Sequence, residues 1–240
     1  MRRVAALAAA GALLAAPAAA DARAKVDVMV VGKSGLLAGP ARVALEARTA
    51  RVGAKRCAIG RATPLSALAG THVSLRLSDY GSCSRRPSDA GSLYVARIGP
   101  DRERGRDGWV YKVGKRAGST GAADPAGPFG TGRLLRSGQR VLWFWCVKDA
   151  ADSCQRTLDA KPAQTSVGPG APLTVAVRGY DDHGNGVPVV GAAVRIEGSS
   201  ALTGADGVAL LTAPAAAGKY RLHAEKIGMV RSFAARITVG

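Results

Sequence analysis

Short segments in which apolar and polar residues alternate recur along the first half of the chain. Residues 24–31 place Val26, Val28 and Val30 on one face, and residues 41–48 alternate in the same way. A period of two is typical of a half-buried β-strand, and turn residues separate the two segments. The pattern predicts two paired strands.

A short helix is predicted over residues 63–70. Thr63 can accept an orphan N–H as N-cap, Pro64 suits the first helical position because it lacks an N–H, and Gly70 follows the last turn. Residues 72–77 and 93–98 predict two further strands.

The most regular apolar pattern lies in residues 108–114 and 139–146. Both faces of the second segment are apolar, which predicts a central strand covered on each side. Residues 116–137 between them are rich in Gly, Ala and Pro, and a loop of that length is either functional or mobile.

Closely spaced short strands separated by Gly, Asp, Asn and Pro are predicted in the second half, which is typical of a β-sandwich. The sequence thus predicts a mainly β protein with two domains, an α+β domain with one short helix over residues 24–160 and an antiparallel β-sandwich over residues 165–240. The predicted strands of the sandwich are residues 173–177, 187–196, 201–211, 220–224 and 233–239.

The first residues have the form of a secretory signal peptide. Arg2 and Arg3 precede an apolar run, and small residues suited to cleavage after Ala20 or Ala22 follow it. A membrane anchor needs about 18 apolar residues, more than this run provides. We expect residues 1–22 to be removed, no transmembrane segment in the mature chain, and a secreted, extracellular or cell-wall-associated protein.

The four cysteines form an even set, as expected for an exported protein with two disulfides. Three pairings are possible. Cys146 and Cys154 flank a short polar segment, while Cys57 and Cys83 flank the predicted helix and the strand after it, so we predict the pairs 57–83 and 146–154.

Basic charge is concentrated in the first half. The formal net charge of the chain is +17, of which residues 21–161 contribute +13 and residues 162–240 only +2. Outside the cell, a basic surface favours anionic wall polymers, lipid headgroups or acidic glycans as partners, and we expect no nucleic acid, although an Arg-rich composition can arise without a ligand. The candidate anion-binding residues are Lys112, Lys115 and Arg116, with Arg102, Arg104 and Arg106 on the preceding loop.

Aromatic residues cluster on the two most regular predicted strands, as Trp109, Tyr111, Trp143 and Trp145. If the strands pair, the rings lie on one face and form either a stacking platform for a planar ligand or the core of the domain. Alternation on the same side of both strands favours the core.

Residues 24–146 resemble the transcobalamin-like C-terminal domain family, in which a G-W-x-Y-x-V strand precedes a variable loop, a glycine and a V-L-W-x-W strand. The resemblance implies a β-grasp-like mixed sheet packed on a short helix, and it suggests a small planar ligand such as a corrinoid. The usual Asn after the first strand is missing, and so is the large helical partner beside which the domain binds cobalamin. The matching residues are Gly108, Trp109, Tyr111, Val113, Gly138, Val141, Leu142, Trp143 and Trp145.

Residues 165–240 resemble bacterial Ig-like and carboxypeptidase regulatory-like (prealbumin-like) domains. Residues 182–194 resemble the signature of these domains, which is roughly D-x-x-G-x-P-V-x-G-A-x-V, and residues 203–209 supply the later T-x-x-x-G. Such domains are spacers or adhesion modules.

Patterns of catalytic or metal chemistry are missing: there is no G-x-S-x-G, H-E-x-x-H or C-x-x-C, and His72, His183 and His223 are scattered. Residues 181–185 hold carboxylates and an amide, as a calcium loop does, but lack the closing bidentate acid, so turn chemistry explains them. We expect no catalytic residue, no metal and no cofactor. The sequence predicts an exported binding protein, with a structural surface spacer as the alternative.

Overall fold

The computed structural model describes residues 24–240, so the predicted signal peptide lies outside the described residues. The first half holds one helix, α1 (Pro64–Ala69), and ten strands. The strands are β1 (Lys25–Gly32), β2 (Gly35–Ala44), β3 (Arg48–Val52), β4 (Lys55–Ile59), β5 (Leu75–Asp79), β6 (Leu93–Ile98), β7 (Asp101–Arg102), β8 (Gly108–Val113), β9 (Arg116–Ala117) and β10 (Arg140–Cys146).

A five-stranded mixed sheet organises the first half, in the order β2-β1-β10-β8-β9. The first and last long strands, β1 and β10, run parallel next to each other, and each pairs antiparallel with a strand on its outer side, β1 with β2 and β10 with β8. With α1 packed against one face, this is a β-grasp arrangement, which confirms the predicted fold class. The second strand was predicted too late in the chain, because β2 ends at Ala44.

The local chemistry of α1 is the predicted one. The Thr63 side chain accepts from Ser66 N, the Ser66 side chain accepts from Thr63 N, and Pro64 stands at the first position. This reciprocal pairing satisfies two backbone donors that a six-residue helix otherwise leaves free. The helix buries Leu65 and Leu68 against the sheet.

Two small sheets cover the rest of that core: the hairpin β3–β4 and the three-stranded sheet β5-β6-β7. The alternation rule missed the β3–β4 hairpin because charged residues dominate its exposed face. Cys57 of β4 is joined to Cys83 in the loop after β5, and Cys146 to Cys154, which confirms the predicted pairing.

The second half is a sandwich of two sheets. Strand β13 pairs with β11, β14 and β17 in one sheet, and the other has the order β12-β19-β18-β15-β16. The predicted strands over 187–196 and 201–211 were wrong in extent, since tight turns divide each of them in two. The strands are β11 (Thr157–Pro162), β12 (Ser166–Val167), β13 (Pro172–Tyr180), β14 (Gly186–Pro188), β15 (Ala193–Ile196), β16 (Ser199–Leu202), β17 (Val208–Thr212), β18 (Gly218–Glu225) and β19 (Ala235–Val239).

A third apolar cluster joins the two halves. The second face of the mixed sheet presents Met29, Leu142 and Phe144, which pack with Val230 and Phe233 of the sandwich. Every residue of β10 from Val141 to Cys146 is therefore buried, as predicted for a central strand covered on both sides.

Strand β11 belongs with the sandwich, because all of its residues pair with β13. The boundaries expected from the sequence, 160 and 165, would cut this strand from its sheet. We propose instead that the second domain begins just before Thr157.

Candidate functional site

The aromatic cluster is part of the core. Trp109 and Trp145 meet edge to face at 5.7 Å between ring centroids, and Tyr111 and Trp143 lie 5.3 Å apart. All four rings are at least nine-tenths buried in the cluster between the mixed sheet and α1. Of the two alternatives predicted from the sequence, the favoured one, a core, is therefore confirmed. The alternative, Trp109, Tyr111, Trp143 and Trp145 as a ligand platform, is wrong, because neighbouring side chains already cover their faces.

The prediction of Lys112 as an anion-binding residue is also wrong, because its side chain is 0% exposed and points away from solvent into the sandwich. Its Nζ donates to the carbonyl oxygens of Asp181 at 2.8 Å and Tyr180 at 3.1 Å, and to Thr157 Oγ1 at 3.3 Å. Burial lowers the pKa of Lys112, and the nearby Asp182 carboxylate, 3.5 Å away, opposes that shift. Lys112 therefore joins the domains and cannot bind an external anion.

The loop after β13 also shows why residues 181–185 suggested a calcium site. Its backbone oxygens and Asp182 converge on one cation, and that cation is the Lys112 ammonium. Asp181 Oδ1 meanwhile accepts from the N–H groups of His183 and Asn185, which is the turn chemistry expected from the sequence.

The other two anion-binding candidates have protein partners. Lys115 pairs with Asp159 at 3.0 Å and lies over the Tyr180 ring, while Arg116 lies over the Phe129 ring at 5.1 Å. On the preceding loop, Arg106 pairs with Asp152 at 2.9 Å. These contacts occupy Lys115 and Arg106 and leave Arg116 at the edge of the domain junction.

A different set of cations lines a cleft of about 730 Å³ between the domains, which we call the interdomain cleft. Strands β1, β2 and β10 form one wall and contribute Asp27, Arg42 and Arg140, respectively. Strands β11, β18 and β19 form the other. These strands contribute Asp159, Lys161, Arg221, Arg236 and Thr238, and the segment before β19 contributes Phe233.

The acids of the cleft do not neutralise its cations. Asp159 is shared by Lys115 and Arg140, and Arg140 also lies 5.3 Å from the Phe233 ring. Within residues 24–240 the Asp27 carboxylate forms no ion pair. Four cationic side chains of the cleft likewise have no hydrogen bond or ion pair in that part of the chain. They are Arg42, Lys161, Arg221 and Arg236.

Arg221 and Arg236 are direct cross-strand neighbours on the sheet face turned away from the sandwich core. Like charges directly opposite each other on a sheet destabilise it, and their Cβ atoms are separated by only about 5 Å. An oxyanion placed between two guanidinium groups removes that repulsion and accepts bidentate hydrogen bonds. The geometry therefore suits anion binding.

Sequence reasoning missed this site because it took charge as a sum over each half, and the second half carries only +2. The four unpaired cations lie on β2, β11, β18 and β19, of which only β18 and β19 follow each other in the chain. The one local signal was the pair of arginines at exposed positions of β18 and β19, whose register a sequence does not give.

Groups of three or more His, Cys, Asp or Glu side chains placed to hold a metal ion do not occur within residues 24–240. His72 and His183 are exposed, and His223 contacts Glu225 at 3.0 Å. No helix within the described part of the chain is long and apolar enough to cross a membrane.

Comparisons with known proteins give the following. No family model matches the chain, and no curated protein matches it; the resemblance to the transcobalamin-like family thus stays a prediction. Among solved structures, the chain is similar to the Escherichia coli adhesin FdeC, with 16% identity and a TM-score of 0.30 over 82% of this chain and 53% of that chain. It is also similar to the D00-D0 domain of intimin, with 15% identity and a TM-score of 0.28 over 69% and 78% of the two chains.

A β-glycosidase from Bacteroides vulgatus aligns with 12% identity and a TM-score of 0.30, over 72% of this chain and 26% of that chain. The chain spans about half the length of FdeC.

Proposed function

We propose that the protein is an exported, non-catalytic binding module that holds an anionic polymer or glycan in the interdomain cleft. The observation that carries the proposal is the set of unpaired cations, above all the facing Arg221 and Arg236. Two disulfides agree with an extracellular or cell-wall-associated place of action, since such bonds persist in oxidising compartments.

The two walls of the cleft differ in how far their positive charges are compensated by acids. On the mixed sheet, Arg42 and Arg140 flank Asp27 as its cross-strand neighbours, so that wall is partly compensated. On the sandwich wall, Lys161, Arg221 and Arg236 face the cleft without an unshared acid beside them. The negative charge of the ligand should therefore contact the sandwich wall.

The test is retention of the mature protein on a sulfated glycan and on a polyphosphate column, with the variant Arg221→Gln/Arg236→Gln. We expect this variant to lose at least tenfold in affinity, and the wild-type affinity to fall steeply with salt because exposed charges are screened beyond about 8 Å at physiological ionic strength.

The matched control is Arg76→Gln/Arg97→Gln, which removes an equal charge from another exposed cross-strand arginine pair outside the cleft. Equal losses from both double variants would mean that charge acts only in bulk. No retention of the wild-type protein at low salt would refute the proposal and favour a structural surface spacer.

A further inference from the structure

A second cavity, of about 340 Å³, lies in the first domain between the β3–β4 hairpin, β5 and α1. We call it the Arg48 groove. It exists because β3 pairs only with β4 and β5 only with β6, so the two strands pass each other without hydrogen bonds. It shares no residue with the interdomain cleft.

Seven of the ten residues that line the groove are apolar. Ile59 and Leu65 are almost completely buried, and the remaining apolar side chains are half-buried over the same core. The volume is within the range of small-ligand sites, which are typically apolar with a few polar groups that fix orientation. The apolar lining residues are Ala50, Ile59, Leu65, Ala69, Val73, Leu75 and Leu77.

The polar lining residues are Arg48, Thr49 and Arg51, and Arg48 is the one among them that is not exposed. Its Nε is buried and, within residues 24–240, has no hydrogen-bond partner. Gly70, at the end of α1, makes room for the guanidinium, because a Cβ there would lie 2.8 Å from Arg48 Nη2 and 2.2 Å from Val43 Cγ1. A buried charged donor without an acceptor is costly, so an acceptor is what this site lacks.

We propose that the Arg48 groove binds an amphipathic carboxylate, with the carboxylate on the Arg48 guanidinium and an aliphatic chain along the apolar lining. A carboxylate matches the planar fork of a guanidinium through two parallel hydrogen bonds. Contact with the apolar lining stabilises the bound aliphatic chain, because burying each CH₂ favours binding by about 0.8 kcal/mol. This site is independent of the proposed function of the interdomain cleft.

The experiment is calorimetric titration of the full mature protein with acetate, butanoate, hexanoate and octanoate, and with octanol as the uncharged control. Affinity should rise about fourfold for each added CH₂, the factor to which about 0.8 kcal/mol corresponds, and octanol should bind at least tenfold more weakly than octanoate. The variant Arg48→Gln should lose at least tenfold in octanoate affinity. Arg56→Gln, an exposed arginine of β4 outside the groove, should lose nothing.

Ala69→Leu keeps Arg48 but fills the groove, so it should also abolish octanoate binding. This second variant tests the proposal if Arg48→Gln fails to fold. Absence of octanoate binding would overturn the proposal. So would equal binding of octanol, equal affinity in Arg48→Gln and wild type, or loss of octanoate binding in Arg221→Gln/Arg236→Gln, which would place the ligand in the interdomain cleft.

Discussion

Lys112 shows how one side chain can hold two domains together. Its ammonium group is fully buried, and its acceptors all lie on the sandwich. A lysine at this depth is tolerated because three oxygen acceptors and the Asp182 carboxylate replace its water shell. Removing it would leave these oxygens without a donor in a buried junction.

We predict that Lys112→Met destabilises the protein by at least about 3 kcal/mol, the lower end of the cost of breaking a buried charge pair. Urea unfolding of wild type and variant measures the change. Lys115→Met, which removes a half-exposed lysine from the same strand end, should cost no more than about 1 kcal/mol. Similar losses from the two variants would show that Lys112 is not a buried tether.

Asp79 gives a prediction for acid pH. The Lys55 ammonium, 2.8 Å away, together with N–H groups of Gly81 and Cys83 and the Ser92 hydroxyl, lowers the pKa of Asp79 to about 2. The Asp79 carboxyl group binds a proton less tightly in the folded state than in the unfolded state. The stability that Asp79 provides is therefore present above pH 3.8 and is lost as pH falls towards 2.

Asp79→Asn should therefore be less stable than wild type at neutral pH, and the difference should shrink between pH 4 and pH 2. Thermal unfolding at a series of pH values measures it. Asp206→Asn, an exposed acid on a turn of the sandwich, serves as the control. A difference between Asp79→Asn and wild type that does not change with pH would contradict the assignment.

At the scale of elements, the two disulfides close loops of different length. Cys57 and Cys83 are 26 residues apart and hold the β3–β4 hairpin to the loop after β5, whereas Cys146 and Cys154 are only 8 apart. A disulfide stabilises largely by restricting the unfolded chain, and more so for a longer loop.

Replacing both Cys57 and Cys83 by alanine should cost about 3.5 kcal/mol, and replacing both Cys146 and Cys154 about 2.5 kcal/mol, by the loop-entropy relation. Guanidinium unfolding of the two double variants compares them. A larger loss from the 146–154 pair would mean that its packing at the domain junction outweighs chain entropy.

At the scale of the whole molecule, the sequence predicts that the two domains fold separately. The sandwich has a core of its own, and the first domain has another between its sheet and α1. The second face of the mixed sheet, however, is covered only by the junction with the sandwich. We therefore expect unequal behaviour of the two halves.

Residues 156–240 should fold alone, whereas residues 24–155 should be markedly less stable than in the intact chain and bind a hydrophobic dye through Met29, Leu142 and Phe144. The intact chain should unfold in one calorimetric transition. Two transitions in the intact chain, with the midpoints of the separate halves, would contradict this coupling.

Features that depend on residues close together in the chain were predictable without the fold. Thr63, Pro64 and Ser66 define the start of α1 through contacts within four residues. The apolar run of β10 required cover on both faces, because exposing its apolar side chains to water is unfavourable. The disulfide pairing followed from the placement of the cysteines around one predicted helix and one short loop.

The positions of the charges relative to one another, in contrast, follow from the fold. Lys112 and Lys115 look alike in the sequence, yet one is enclosed by carbonyl oxygens of the sandwich and the other is half exposed. Arg221 and Arg236 became a site through the register of two strands and the docking of a second domain. Strand register and domain docking depend on contacts between residues far apart in the chain, which alternation and spacing do not encode.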